Sequence, residues 1–143
     1  MPYFRIWIHI VLVTEDRKPL ITGQVGEALL QQFRLLAMEK GILVDCVGGG
    51  EEHLHLLVAM GSGQSISQVV ETLSIVSETY VSLNKLSPTP FSWNGDYLAF
   101  SVSHSLVDKV REYIKGQSTL HQRRSFDDEY LEFCQKHGFV STK

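Results

Sequence analysis

His53 and His55 stand two residues apart in Glu51-Glu52-His53-Leu54-His55-Leu56-Leu57-Val58. If this segment is a strand, both side chains project from the same face. Two adjacent imidazoles offer nitrogen lone pairs to a divalent metal, provided the strand holds them rigidly. Leu54, Leu56, Val58 and Met60 form the opposite face, an unbroken apolar row that anchors the strand on a core. The same pattern also fits two histidines on a solvated strand face, so the pair needs a companion. One lies downstream in Val110-Arg111-Glu112-Tyr113-Ile114-Lys115-Gly116-Gln117, where a helical period brings Tyr113 and Gln117 to one side. His121 continues that stripe if the helix persists, either as a substitute ligand or as a surface histidine.

These residue types suit phosphoryl transfer. A phenol of ordinary pKa, about 10, is a poor nucleophile at neutral pH and needs a group that favours phenolate or polarises its target. A divalent cation held by two imidazoles and an amide oxygen keeps open positions for water and a phosphate. Taken alone, Tyr113 is also what a core-facing helix stripe carries, and Gln117 is an ordinary solvated helix residue. His9 reads as a hydrogen-bonded structural residue, and His104 and His137 as surface positions.

The elements that must position these groups follow from periodicity. A strand is predicted from about Tyr3 to Val13, with turn chemistry from Asp16 to Pro19. A helix follows from Gly23 to Lys40, with Val25, Leu29, Leu30, Phe33, Leu36 and Ala37 inward, and Gly41 ends it. A strand from Ile42 to Val47 meets the histidine strand through Gly48-Gly49-Gly50, read as a tight hairpin connection. A second helix runs from Ser65 to Asn84, with Ile66, Val69, Val70, Leu73, Val76 and Tyr80 at helical spacing. Phe91 to Tyr97 is read as an aromatic loop whose Trp93 and Tyr97, with Tyr80, could pack or stack on unpaired bases. Leu98 to Val102 is the last strand, Ser105 or a neighbour caps the tyrosine helix, and Phe126 to His137 forms a short terminal helix.

Strand, helix, strand, strand, helix, strand is the split βαβ order of a ferredoxin-like α+β domain. It predicts an antiparallel sheet with helices on one face, an open histidine-bearing face, and the tyrosine helix closing over it. The 143 residues, with no low-complexity tract, read as one domain spanning the chain. Ile6 to Val13 is too short to span a bilayer and lacks a cleavage pattern, so a soluble cytoplasmic protein is expected. Cys46 and Cys134 define no disulfide framework and are expected to be reduced.

Several ordered blocks together resemble a family: His9-Ile10-Val11 with Asp16-Arg17-Lys18-Pro19-Leu20, then His53-Leu54-His55-Leu56-Leu57-Val58 and Ile66-Ser67. Phe91-Ser92-Trp93, Ala99-Phe100-Ser101-Val102-Ser103, Tyr113-Ile114 with Gln117, Arg123-Arg124-Ser125-Phe126 and His137-Gly138 continue the match over nearly the whole chain. The sequence resembles the single-tyrosine HUH transposases of the insertion-sequence 200/605 group, especially their REP-associated branch. The resemblance implies cleavage and rejoining of single-stranded, hairpin-bearing DNA through a 5′-phosphotyrosine. It implies Tyr113 as nucleophile, His53, His55 and Gln117 as ligands of Mg or Mn, and a homodimer in which the tyrosine helix serves its own site or its partner's.

Three departures accompany it. Glu52 stands where similar proteins carry aspartate, and Gly116 precedes Gln117 and weakens the tyrosine helix. The third is electrostatic: net charge is −3, no basic residue lies between Lys40 and Lys85, and Glu71, Ser74 and Glu78 occupy the second helix. DNA contacts would fall to Arg5, Arg17, Lys18, Lys109, Arg111, Lys115, Arg123 and Arg124. The acidic balance keeps open a domesticated DNA-binding or regulatory homologue with little catalysis. A metal hydrolase of small phosphoesters is a further alternative, disfavoured by the absence of an HxT or HxS pair.

Overall fold

The computed structural model describes residues 3–117 and 124–139; His121 and Arg123 lie outside them. Among the described residues, four strands, β1 (Trp7–Thr14), β2 (Leu43–Gly49), β3 (His53–Ala59) and β4 (Trp93–Val102), form one sheet. Its order is β2-β3-β1-β4 and every neighbouring pair is antiparallel, which is the ferredoxin-like α+β arrangement. The histidine strand is therefore internal, bonded to β1 on one side and β2 on the other. Such a strand is fixed in register, because a one-residue slip would send the histidines into the apolar core.

Helices α1 (Gly23–Glu39) and α2 (Ile66–Leu83) pack on the face that carries Ile10, Leu12, Leu54, Leu56 and Val58. Helix α1 buries Val25, Leu29, Phe33 and Ala37, each four residues from the next, while Leu30 is exposed. In α2 the buried set ends with Ser77 and Val81 rather than Val76 and Tyr80. The reason is Trp93: its indole enters this layer and donates to the Ser77 hydroxyl at 2.8 Å, so the helix turns a small polar residue inward. Trp93 thus belongs to the core and begins β4. The aromatic segment read as a loop is largely strand.

The second face of the sheet is not open. Helix α3 (Val107–Lys115) crosses β2 and β3, burying Val107 and Ile114 against Trp7, Cys46 and Leu57. Helix α4 (Phe126–Lys136) covers the remainder, with Phe126 against Val11, Val13 and Leu98. Ser125 caps α4 by accepting from the Asp128 backbone N–H, and Asp127, Asp128 and Glu129 in its first turn favour the helix dipole. A 3-10 turn at His104–Leu106 leads into α3, with no side-chain cap from Ser105.

Gly48 and Gly49 lie within β2, and only Gly50 belongs to the turn. Gly48 is required for a different reason from the one the sequence suggested. A Cβ there would stand 1.9 Å from the Ile114 carbonyl oxygen, so its absence lets the α3 backbone settle directly on the sheet. A bidentate pair from Arg111 to Asp45, at 2.6 and 2.9 Å, ties the same helix to β2. The neighbouring guanidinium holds the Asp45 carboxyl below the usual range. Cys46 and Cys134 are both free thiols, and no described helix is long and apolar enough to cross a membrane.

Candidate active site

His53 and His55 project from β3 toward α3 and α4, and both are fully buried. The expected solvent-facing pair is instead roofed over, because α4 lays Phe126 flat on the His53 ring, 3.9 Å between centroids and 10° between planes. Gln117, just past the end of α3, is buried beside them with its Oε1 3.0 Å from His53 Nε2. Glu129 of α4 completes the group: its Oε1 lies 3.3 Å from His55 Nε2 and 3.7 Å from His53 Nε2. Its other oxygen accepts from Gln117 Nε2 at 3.2 Å.

Each histidine is oriented from behind. His53 Nδ1 lies 3.1 Å from Glu52 Oε1, and His55 Nδ1 lies 2.7 Å from His9 Nε2 on the adjacent strand β1. A carboxylate only accepts, so the Glu52 contact favours a proton on His53 Nδ1 and leaves Nε2 with its lone pair forward. Burial, with the His55 and His137 imidazoles adding to it, holds His9 far below the usual histidine range, down to about 2. His9 therefore stays neutral and can accept from His55 Nδ1–H, which turns the second Nε2 lone pair into the same space. Gly50 makes room for this, since a Cβ there would sit 2.9 Å from His53 Cε1.

The donor set fits a divalent metal. One candidate atom each from His53, His55 and Glu129 lie within 4.8 Å of one another, and Gln117 Oε1 adds an amide oxygen at 3.0 Å from His53 Nε2. Ligands about 2.1 Å from a small divalent ion lie about 3 Å apart at right angles, which these separations approach. Two forward-facing imidazole lone pairs and a carboxylate also make a site that a cation or proton must neutralise. Without a cation, burial pushes the Glu129 carboxyl up to about 7, attraction to His53 opposes this, and Glu132 adds to it.

Tyr113 is half-buried on α3 of the same chain, its ring centroid 5.6 Å from that of His55 and 6.3 Å from that of His9. It borders a cavity of about 440 Å³ between α3, α4 and β4 that also touches His9 and Glu129. A tyrosine, two histidines and Gln117 from separate parts of the sequence are thus brought together within one protomer. Glu129 was missed in the sequence. The available signal was its place in the stripe Phe126, Glu129, Tyr130, Phe133, a lone acid on an otherwise aromatic face.

The basic side chains divide into two groups. Arg17 pairs with Asp127 and lies over Phe126 and Tyr130, Arg111 pairs with Asp45 and Asp108, and Arg124 pairs with Glu132. Lys18, Lys109 and Lys115 are exposed, and Lys109 borders the cavity. Arg5 lies beside Gly41, Leu43, Ala59 and Gly61, at the end of the sheet opposite His53. Glu71, Ser74 and Glu78 line a separate groove with Trp93 and Tyr97. His104 accepts from the Trp7 indole, and His137 is exposed at its edge but stacks on Phe100.

The sequence profile of the IS200-like transposases matches residues 2–117, and the chain belongs to that family. The ISDra2 transposase TnpA of Deinococcus radiodurans is 24% identical over 119 residues, 80% of this chain and 85% of that protein. Among solved structures, a Deinococcus radiodurans R1 protein designated a transposase superposes with a TM-score of 0.63 at 21% identity. That match covers 81% of this chain and 93% of the other. A REP-associated tyrosine transposase bound to a REP hairpin has a TM-score of 0.54 at 14% identity, covering 98% of this chain and 73% of its own.

Proposed function

We propose that this transposase-family chain is a metal-dependent nuclease and strand transferase for single-stranded, hairpin-bearing DNA, with Tyr113 as nucleophile. The observation that carries the reading is the convergence of Tyr113 with the His53, His55, Gln117 and Glu129 donor set inside one protomer. The hydroxyl of Tyr113 forms a bond to phosphorus, and the bond from phosphorus to the 3′ oxygen breaks. A 5′-phosphotyrosine and a free 3′-hydroxyl result, and attack by a 3′-hydroxyl reverses the step. Mg or Mn, when bound, would neutralise the charge that builds on the scissile phosphate. His53 and His55 would hold it through Nε2, Glu129 and Gln117 would hold it through oxygen, and Glu52 and His9 would keep the two rings turned toward it. The roof of Phe126 over His53 excludes water from that side of the site. Since these side chains come from one chain, the reading needs no residue from a second copy.

The test is incubation with end-labelled hairpin oligonucleotides and Mn. A covalent protein–DNA adduct is expected, present in the wild type and absent in Tyr113→Phe. No adduct across varied hairpins and flanks, or an adduct that survives the substitution, rejects the mechanism.

A second reading is favoured by one observation. Arg17, Arg111 and Arg124 are already committed to carboxylates, which leaves few cations for a phosphate backbone. A domesticated homologue that binds hairpins weakly and rarely cleaves would show salt-sensitive binding without adduct, even when loaded with Mn.

A further inference from the structure

Helix α3 carries Tyr113 and is held on the sheet by few apolar groups: of its nine residues, Val107 and Ile114 are the buried ones. Arg111 stands between them on the same stripe, four residues from one and three from the other. Two aliphatic side chains can slide, and at the Ile114 end the sheet offers Gly48, which has no side chain to lock against. The fork of Arg111 on Asp45, Nε at 2.6 Å and Nη2 at 2.9 Å, is directional instead. Asp45 is specially placed to receive it. Val44 pairs with Val58 and Cys46 with Leu57, so Asp45 is an extra residue in β2, a bulge. The bulge breaks the alternation of the strand: Val44 lies in the core under α1 and α2, whereas Cys46, two residues on, lies under α3. Bulges re-aim side chains beside active sites, and here the carboxylate delivered to α3 is that of the bulged residue.

We infer that the Arg111–Asp45 fork is a positioning device, which sets the roll of α3 about its own axis and so the place of Tyr113 beside the histidines. The inference rests on the reading of Tyr113 as nucleophile, and it removes Arg111 from the DNA-contacting set. Tyr113 lies about 200° round the helix from Arg111. The two therefore reach out on opposite flanks of the line of contact, Arg111 to β2 and Tyr113 toward His55 and His9 on β3 and β1. A side-chain tip about 5–6 Å from the helix axis moves about 2 Å for a roll of about 20°. A misplacement of about 1 Å can cost about 100-fold in rate, so a fork that restrains the roll acts directly on the chemistry. The guanidinium is meanwhile engaged on all three nitrogens, since Nη1 donates to Asp108 at 2.8 Å, and it lies over the Trp7 ring at 5.9 Å. Trp7 in turn donates its indole N–H to His104 Nδ1 at 3.2 Å, in the 3-10 turn that leads into α3. Arg111 thus ties the tyrosine helix to β2 and β1 at once.

The experiment uses the full chain with meta-fluorotyrosine in place of tyrosine, the Tyr113 fluorine resonance being identified by its loss in Tyr113→Phe. In metal-free protein without DNA, that resonance is expected to shift or broaden in Asp45→Asn and in Arg111→Gln, while those of Tyr80 on α2 and Tyr97 on β4 stay in place. With Mn and saturating hairpin oligonucleotide, adduct formation is expected to slow about 10- to 100-fold in each variant. Hairpin affinity should be unchanged, and the double variant should be no slower than either single one. Arg111→Lys keeps the charge without the fork and is expected to stay slow; it also carries the test if a neutral variant fails to fold. A Tyr113 resonance unmoved in all three variants overturns the inference. So does the pattern of a phosphate contact, in which Arg111→Gln weakens hairpin binding, Arg111→Lys restores it, and Asp45→Asn tightens it by freeing the guanidinium. A wild type that forms no adduct defeats the strand-transfer reading alone, because the fluorine spectra need neither metal nor DNA and still report whether the fork places Tyr113.

Discussion

Replacing Glu129 by glutamine keeps the shape of the side chain and removes its charge, which isolates the cost of a buried carboxylate at the metal site. In the metal-free protein the carboxyl is raised from an ordinary 4.5 to about 7, mainly by burial. A folded pKa above the unfolded one means that the protonated acid is the form the fold favours. That stability is fully present below about pH 4.5 and is lost as pH rises through about 7. At about 1.36 kcal/mol per pH unit between the two values, the loss is about 3 kcal/mol above pH 8. Glu129→Gln has no such loss. Metal-free Glu129→Gln should therefore match the wild type near pH 4.5 and exceed it near pH 8. For a chain of this length the gap corresponds to roughly 6–12 °C in Tm. His53 and His55 on β3 and Glu132 on α4 face the same carboxyl but are common to both proteins, so the difference reports Glu129. Adding Mn at pH 8 should reverse the order, because the ion binds the ionised wild-type site more tightly and stabilises the fold by mass action. Differential scanning calorimetry at four or five pH values, with and without Mn, measures all of this. Parallel pH profiles for the two metal-free proteins would refute the argument from burial. A variant that Mn stabilises as much as the wild type would remove Glu129 from the ligand set.

Two further outcomes follow from the site and its surroundings. His9→Phe removes the acceptor for His55 Nδ1–H, so Mn affinity by titration calorimetry should fall about 10- to 100-fold with helix content preserved; unchanged affinity would show that His9 does not orient His55. If the arginines stay paired with their carboxylates, Lys18, Lys109, Lys115 and Lys136 are the exposed cations among the described residues on which the count rests. The slope of log K against log salt for a single-stranded flank should then be no steeper than about −3. A slope near −5 would mean that Arg17, Arg111 and Arg124 let go of their partners on binding.

How far the sequence could be read depended on whether each signal was local. The histidine strand, α1 and the order of elements are local periodicities, and they emerge with boundaries a few residues off. The departures come where a tertiary partner decides. Val76 and Tyr80 fit the α2 stripe as well as Ser77 and Val81 do, until the Trp93 indole requires a hydroxyl in the core. Gly48 reads as turn chemistry because glycine triplets usually are, whereas here it answers to a backbone sixty-six residues later, the α3 carbonyl of Ile114. Tyr113 and Gln117 were legible through helical spacing and resemblance together. Glu129 was not, because an acid on a short terminal helix carries no sign of which strand that helix will cover. Glu52 was visible as a departure from aspartate, and the structure places the longer acid 3.1 Å from His53 Nδ1, where it makes the contact directly.

Helix α4 gives the site two properties that neither the histidine strand nor the tyrosine helix could supply. Its Phe126 and Glu129 cover the sheet face and bring a carboxylate against both imidazoles. One and two turns further on, its Phe133 and Lys136 form a wall of the cavity that Tyr113 borders. The element that lowers the polarity around His53, His55 and Glu129 is thus the same one that shapes the cavity beside Tyr113. A buried carboxylate is costly while the donors are empty and favourable once a cation is held. On the proposed function, binding of a cation would therefore favour the docked position of α4. Chemistry and substrate placement would then be coupled through a single helix. An acidic chain could on that function still place a phosphate, because the positive charge would be supplied at the reacting atom.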